Sequence, residues 1–269
     1  MAPNSQTLVF SPVEMQRPLV GYAADFPSGY SLRGHRHPSA QLLYASSGVM
    51  TVTTDQGRWV VPPQRAVWVP PAVEHSVHMT GQVKVRTLYL DPSLLRAPFR
   101  TCCVVQVSPL LRELILRVIE FVQPYGLDGP EARIAAVVAD EIRAARTAPL
   151  HLPSPKDPRL LAITARLAND PADERTLAQW SRTAGASPRT LARLFQKETG
   201  LSFARWRHQA CLLRALELLA AGNSVTAVAI DLGYDSVSAF ITMFRESLGT
   251  TPWRYFAAAT LDDEARAAL

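Results

Sequence analysis

The sequence predicts an α+β chain of two domains: an N-terminal β-barrel carrying two helices, and a C-terminal all-α domain built from two helix-turn-helix units. Three observations predict it. Residues 21–90 alternate apolar and polar positions in short runs separated by turn residues, the pattern of half-buried strands. The segment TAPLHLPSPKDP, residues 147–158, places four prolines in twelve positions and divides the chain. Beyond it apolar residues recur at helical spacing, and a helix pair repeats after the 49-residue shift that carries Ser187 onto Ser236. The boundaries that follow are a first domain at 1–147, a linker at 148–157, a helical domain at 158–258 and a tail at 259–269.

A chain of 269 residues suits two cores of ordinary size, and 48% hydrophobic with 19% charged residues excludes a disordered polymer. No apolar run approaches the roughly 18 residues of a membrane span. The start, MAPNSQTLVFSPVEMQ, lacks the basic and apolar stretches of a secretory signal, so a cytoplasmic location with no membrane partner is expected. Cys102 and Cys103 are adjacent and poorly placed to bond each other, which leaves Cys211 unpaired as well; all three are read as reduced thiols.

In the first domain, QLLYA, VMTVT, RWVVP, AVWVP and VKVRTLYL are separated by SSG, DQG and PPAVEH. This predicts a meander of short strands closing into a small barrel or sandwich. Ser108-Pro109 supplies an N-cap and a first-turn proline for a helix over LLRELILRVIEFV, and a second helix is expected from about Gly129 to Ala145. The pair would pack on the barrel or against a second subunit.

His35, His37 and Gln41 in HRHPSAQ, with His75 in PPAVEHSVH, form a constellation. On one strand running through Pro38 and Ser39, the first three would share a face. With His75 from a later strand, three imidazoles and a carbonyl oxygen could surround a divalent metal. The same residues could instead line a small-molecule pocket or satisfy core hydrogen bonds.

In the second domain Asp157-Pro158 caps a helix through about Ala168. Each repeat then holds a short helix (Thr176 to Thr183; Val225 to Leu232), a turn containing Gly185 or Gly233, and a longer helix opening at Ser187 or Ser236. Phe203 to Ala221 reads as one long helix between the copies. In copy one Leu191, Leu194 and Phe195 form the buried stripe, leaving Arg189, Ala192, Arg193, Gln196 and Lys197 outward. Two arginines one turn apart suit bidentate contact with guanine edges, flanked by phosphate contacts. From Ser187 to Arg214 six basic residues face one acid, Glu198. Copy two has Phe240, Met243 and Phe244 as its stripe and Val237, Ser238, Ile241 and Thr242 outward, which suits thymine methyls and backbone better than hydrogen-bonded reading.

The stretches TLAQWSRTAGASPRTLARLFQKETGLSFARWR and VTAVAIDLGYDSVSAFITMFRESLGTTPWRYF resemble the paired DNA-binding units of the AraC/XylS family, over about Pro158 to Phe256. The resemblance implies a sequence-specific transcription regulator and no enzyme, its two recognition helices entering successive major-groove segments on one face of promoter DNA. It puts the base-contacting positions at Arg189, Ala192 and Arg193, and at Val237, Ser238, Ile241 and Thr242. The histidine pattern is similar to that of cupins, with Gln41 where a glutamate is usual. Together with AQLLYASSGVMTV and RAVWVPPAVEH it resembles the cupin sensor domains of the family's NimR-like branch. A small-molecule effector, a homodimer formed through the two helices, and RNA polymerase at activated promoters are the partners implied. A metal-dependent cupin enzyme with a helical appendage is the alternative; it needs an acid or base beside the metal, and Glu74 is placed opposite His75 by strand parity.

Overall fold

The computed structural model describes residues 15–95 and 99–257. Most of the N-terminal segment read above, and the expected tail at 259–269, lie outside the described residues. Among the described residues nine strands form one sheet: β1 (Leu19–Phe26), β2 (Ser31–His35), β3 (Ala40–Thr54), β4 (Gly57–Val61), β5 (Arg65–Val69), β6 (His75–Leu90), β7 (Cys103–Gln106), β8 (Thr147–Ala148) and β9 (His151–Pro153). Its main path runs β1-β6-β3-β5-β7-β8, with β2 on β6 and β4-β9 on β3 as branches. Among the described residues the ladders do not close into a ring, so of the two shapes expected the sandwich is the better description.

The long strands β3 and β6 belong to both layers. Ala40 to Ser47 pairs with the later half of β6, and Val49 to Thr53 with its earlier half, with register shifts on either side of Ser47. Gly48 sits there at φ 73°, where a Cβ would lie 2.6 Å from the Gln82 carbonyl oxygen; only glycine fits that bend. Alternation sorts the side chains on each side of the sheet. Leu42, Tyr44, Ala66, Trp68, Leu88 and Leu90 form one core with the helices α1 (Pro109–Ile119) and α2 (Pro130–Ala144), through Leu111, Ile115, Val138 and Ile142. Leu43, Ala45, Val67, Val69 and Val85 face the other way, into a core with Val52, Trp59, Val60 and Met79 of the second layer. The two helices thus cover the sheet of their own chain. Tyr44 and Trp68 are core residues. Ser108 caps α1 as expected, accepting from the Leu111 amide at 3.0 Å.

The helical domain runs α3 (Pro158–Asn169), α4 (Leu177–Ala184), α5 (Pro188–Thr199), α6 (Phe203–Ala220), α7 (Val225–Asp231) and α8 (Val237–Leu248), with a further helical turn from Pro252. The segment read as a linker is built into the sheet. β8 pairs with β7, and β9 pairs with β4 through Gly57↔Pro153, Arg58↔Leu152 and Trp59↔His151. Its prolines conceal the reason: Leu150 and Leu152 alternate with His151 and are buried in the core.

Helix α6 then docks on this sheet. The Trp206 indole N–H donates to the Pro153 carbonyl at 2.9 Å, the Gln209 amide donates to the Pro149 carbonyl, and Thr51 of β3 donates to the Glu217 carboxylate at 2.8 Å. Gly81 of β6 approaches the helix end so closely that a Cβ would stand 2.5 Å from the Ala220 carbonyl oxygen. Glu198, the one acid in the basic stretch, accepts from the amides of Lys156 and Asp157 at 2.7 and 2.8 Å, at the start of α3. The helix between the two DNA-binding units is thereby tied to the first domain.

His151 lies at this junction, stacked on Trp59 with ring centroids 4.3 Å apart, and burial lowers its pKa from the ordinary 6.5. A histidine whose folded pKa is depressed contributes stability that is complete above about pH 6.5 and lost as pH falls below it. His151→Phe keeps the stack and removes the titration. Urea unfolding between pH 7.5 and 5 should therefore show a shallower fall in midpoint for His151→Phe than for the parent; parallel curves would contradict this role.

Candidate nucleic-acid interface and histidine pocket

The two recognition helices are built alike. α5 and α8 span 188–199 and 237–248, so both ends obey the 49-residue shift. Ser187 and Ser236 stand at their N-caps, each accepting from the amide three residues on at 3.2 Å. Gly200 and Gly249 close them at φ 72° and 79°. Leu191, Leu194 and Phe195 of α5, and Phe240, Met243 and Phe244 of α8, are buried, which fixes the opposite faces outward.

On α5 the outward face is fully available: Ser187, Arg189, Ala192, Arg193, Gln196 and Lys197 are all exposed. Arg189, Arg193 and Lys197 follow one another at four-residue steps and form one stripe. The amide of Gln196 is turned to the helix end, donating to the Gly200 carbonyl at 3.0 Å. Elsewhere in the domain Arg159, Arg166, Arg175 and Arg214 pair with carboxylates, whereas Arg189, Arg193 and Lys197 have no such partner among the described residues. An uncompensated basic stripe on a helix held rigidly by its buried side fits a polyanion. On α8 the face is narrower than expected. Ser236, Ser238 and Thr242 are exposed, but Val237 and Ile241 are half-buried against the core, because tertiary packing reaches further round α8 than its sequence stripe indicates.

The histidine pocket also forms, by a different route from the one expected. His35 ends β2, and residues 36–39 form a bend, since Pro38 offers no N–H to a ladder. His35 is opposite His75 in the β2–β6 register, and His37 and Gln41 come in from the start of β3. Ring centroids stand 4.4 Å (His35–His75), 5.3 Å (His37–His75) and 6.2 Å (His35–His37) apart, and one ring nitrogen from each lies within 4.8 Å of the others. Glu74 is exposed and His78 bonds to Ser31 at 2.8 Å on the surface.

Hydrogen bonding fixes which nitrogens face inward. Each Nδ1 meets a backbone carbonyl: His35 that of Arg33 at 2.9 Å, His37 that of Ser39 at 2.7 Å, His75 that of Val73 at 3.0 Å. A carbonyl only accepts, so each Nδ1 carries the proton and each Nε2 keeps its lone pair. Burial, the main cause, pushes His75 down to about 4 and lowers His37, so both are neutral near pH 7. Gln41 is oriented too. The Thr87 hydroxyl donates to the Leu42 carbonyl at 3.1 Å and must accept from Gln41 Nε2 at 3.1 Å, which turns Gln41 Oε1 into the pocket. That oxygen faces His37 Nε2 at 3.2 Å, two acceptors with no proton between them, and His75 Nε2 is buried without a partner. The donor set fits a divalent cation, which would satisfy all of these lone pairs, with the Nδ1–carbonyl bonds as its supporting shell.

Two family models match the chain: an AraC-like ligand binding domain over residues 18–126 and a helix-turn-helix domain over residues 180–258. The HTH-type transcriptional regulator NimR of Escherichia coli is 42% identical over 226 residues, 84% of this chain and 82% of its own length. The chain belongs to the AraC family. It is a transcription regulator with an N-terminal ligand-binding domain and a helix-turn-helix DNA-binding domain. The HTH-type transcriptional regulator RipA of Corynebacterium glutamicum is 38% identical over 101 residues, 38% of this chain and 30% of its own length. Among the described residues no helix is long and apolar enough to cross a membrane.

For an AraC-family regulator with this stripe, Arg193→Ala is expected to lose about 1 to 3 kcal/mol at a single base position. Binding to duplexes carrying each base substitution measures it. A loss spread evenly over all sequences would make Arg193 a phosphate contact instead.

Proposed function

We propose that this cytoplasmic regulator reads promoter DNA chiefly through its first helix-turn-helix unit and clamps the duplex with its second. Arg189 and Arg193 are the base readers and Lys197 a phosphate contact; Ser187 and Ser236 serve at the helix starts. Ser238 and Thr242, beside half-buried Val237 and Ile241, hold backbone and methyl groups. The observation that carries this reading is the exposed basic stripe of α5, whose charges have no carboxylate partner among the described residues while other arginines of the domain do.

In the same reading His35, His37, Gln41 and His75 hold a divalent metal. The metal gives a small-molecule effector a Lewis-acid attachment point. The same strands that supply the pocket meet α6: β3 carries Gln41 and Thr51, and β6 carries His75 and Gly81. An effector that favours one setting of these strands changes how α6 presents the two units, which is the unequal binding to two arrangements that regulation requires. The protein acts as a homodimer through α1 and α2, where Leu110 and Val137 remain exposed, with RNA polymerase as the further partner at promoters it activates.

A gel shift on DNA upstream of its own and neighbouring genes, repeated over a salt series, tests the first part. Sequence-selective binding is expected, and equal affinity for an unrelated duplex would overturn it. Metal analysis of the purified protein tests the second. His75→Ala and Gln41→Leu should hold less zinc or manganese than the parent; equal content in all three would remove the site.

A further inference from the structure

The helix between the two DNA-binding units has two working faces. Trp206, Gln209, Glu217 and Ala220, at steps of three, eight and three residues along one side of the helix, meet the sheet domain. At about 100° per residue, Ala204, Arg207, His208 and Cys211 lie on the opposite side. That side opens onto a cleft of about 920 Å³ between the units, shared with Ala192 and Gln196 of α5. A second cleft of about 570 Å³ continues onto Ser238 and Thr242 of α8. His208 and Tyr234 line both clefts and so stand between the two recognition faces.

We infer that Arg207 and His208 form a saddle for the DNA phosphodiester backbone that crosses between the two major-groove segments. A duplex that offers one major groove to α5 and the next to α8 turns its intervening minor groove, rimmed by two phosphate strands, toward α6. Something between the units must therefore meet closely spaced negative charge. Arg207 has no carboxylate partner and His208 no hydrogen-bond partner among the described residues, and His208 is exposed. The acids that line these clefts, Glu174 in the first and Glu246 in the second, are on other elements, before α4 and near the end of α8. Arg175, also in the first cleft, is committed to Asp173 and to the Trp180 ring 3.6 Å away. Docking of the sheet domain on the far side of α6 leaves this saddle open, so the regulator can hold DNA with its domains in contact.

The saddle rests on the family's DNA binding and can be judged apart from the sequence reading proposed above. The test uses the full chain with Arg207→Gln and His208→Gln, each first checked by circular dichroism. Affinity for a duplex selected from a random pool, and for a scrambled duplex of the same length, is measured from 50 to 300 mM salt. Arg207→Gln should weaken both duplexes by a similar factor, about tenfold, and reduce the slope of log K against log salt by about one. His208→Gln should act in the same direction more weakly, and ethylation interference midway between the two contacted grooves should fade in both. An unchanged affinity and slope would overturn the saddle and leave the cleft to another ligand; a loss confined to one base position would overturn it by making these residues readers. If the parent itself showed no preference for the selected duplex, the reading assigned to α5 would fail, while the slope on the scrambled duplex would still decide the saddle.

Discussion

The arrangement of this regulator depends on α6 being packed from several sides at once. Leu212, Leu213, Ala215 and Leu216 are buried in a core that is continuous from the recognition helices to Trp59 and Met79 of the sheet. A helix in an isolated DNA-binding domain would separate two units and leave its back to water. Here that back carries an indole, an amide and a carboxylate in specific bonds to β3 and to the segment 149–153. Since each of these bonds holds a side chain at the helix surface, a change in sheet curvature of a few tenths of an ångström has to be absorbed by the bonds or by α6 itself. Packed interiors transmit such shifts rather than dissipating them.

Charge is distributed to match. Several acids of the helical domain are used internally: Asp157, Asp173 and Glu217 pair with Arg159, Arg175 and Arg214, and Glu198 accepts from the amides of Lys156 and Asp157 just before α3. This removes the negative charge that would otherwise compete with a phosphate for the α5 stripe. Burial likewise silences the cysteines, with Cys102 pushed up to about 12 and Cys103 to about 11, so neither is poised as a nucleophile near pH 7.

What the sequence reveals and what it conceals divide along physical lines. Local chemistry was legible: Ser108, Ser187 and Ser236 as caps, the paired glycines, and the stripe of Leu191, Leu194 and Phe195 all follow from near neighbours in the chain. Features set by distant contacts were not. Leu150 is buried and Leu152 lies in a strand, but four prolines around them carry the signature of a linker. Val237 and Ile241 sit on the side of α8 that its own periodicity leaves outward, and only the rest of the fold covers them. His35 and His37 meet although Pro38 breaks the strand that was to align them, because His75 on β6 brings the two segments together. Arg207 was visible only as one of the six basic residues from Ser187 to Arg214 and His208 not at all, since the place of both comes from what stands on either side.

The histidine pocket and the docking of α6 are connected by strand geometry. Along β3, Gln41 and Thr51 are ten residues apart, with the Gly48 bend between them; along β6, His75 and Gly81 are six apart and share one layer. A cation held by His35, His37 and His75, as proposed above, would act on the edge where β2 meets β6. At Gly81 and Gln82 β6 bends and touches both Gly48 and the Ala220 carbonyl. Strain at the pocket would therefore reach the C-terminal end of α6, at Ala220, rather than its N-terminal half, where Trp206 and Gln209 are anchored to 149–153. A pivot of α6 about that anchored end would move copy two more than copy one. On the reading proposed above, in which copy one reads and copy two clamps, the clamping unit is the one that an occupied pocket would be best placed to shift.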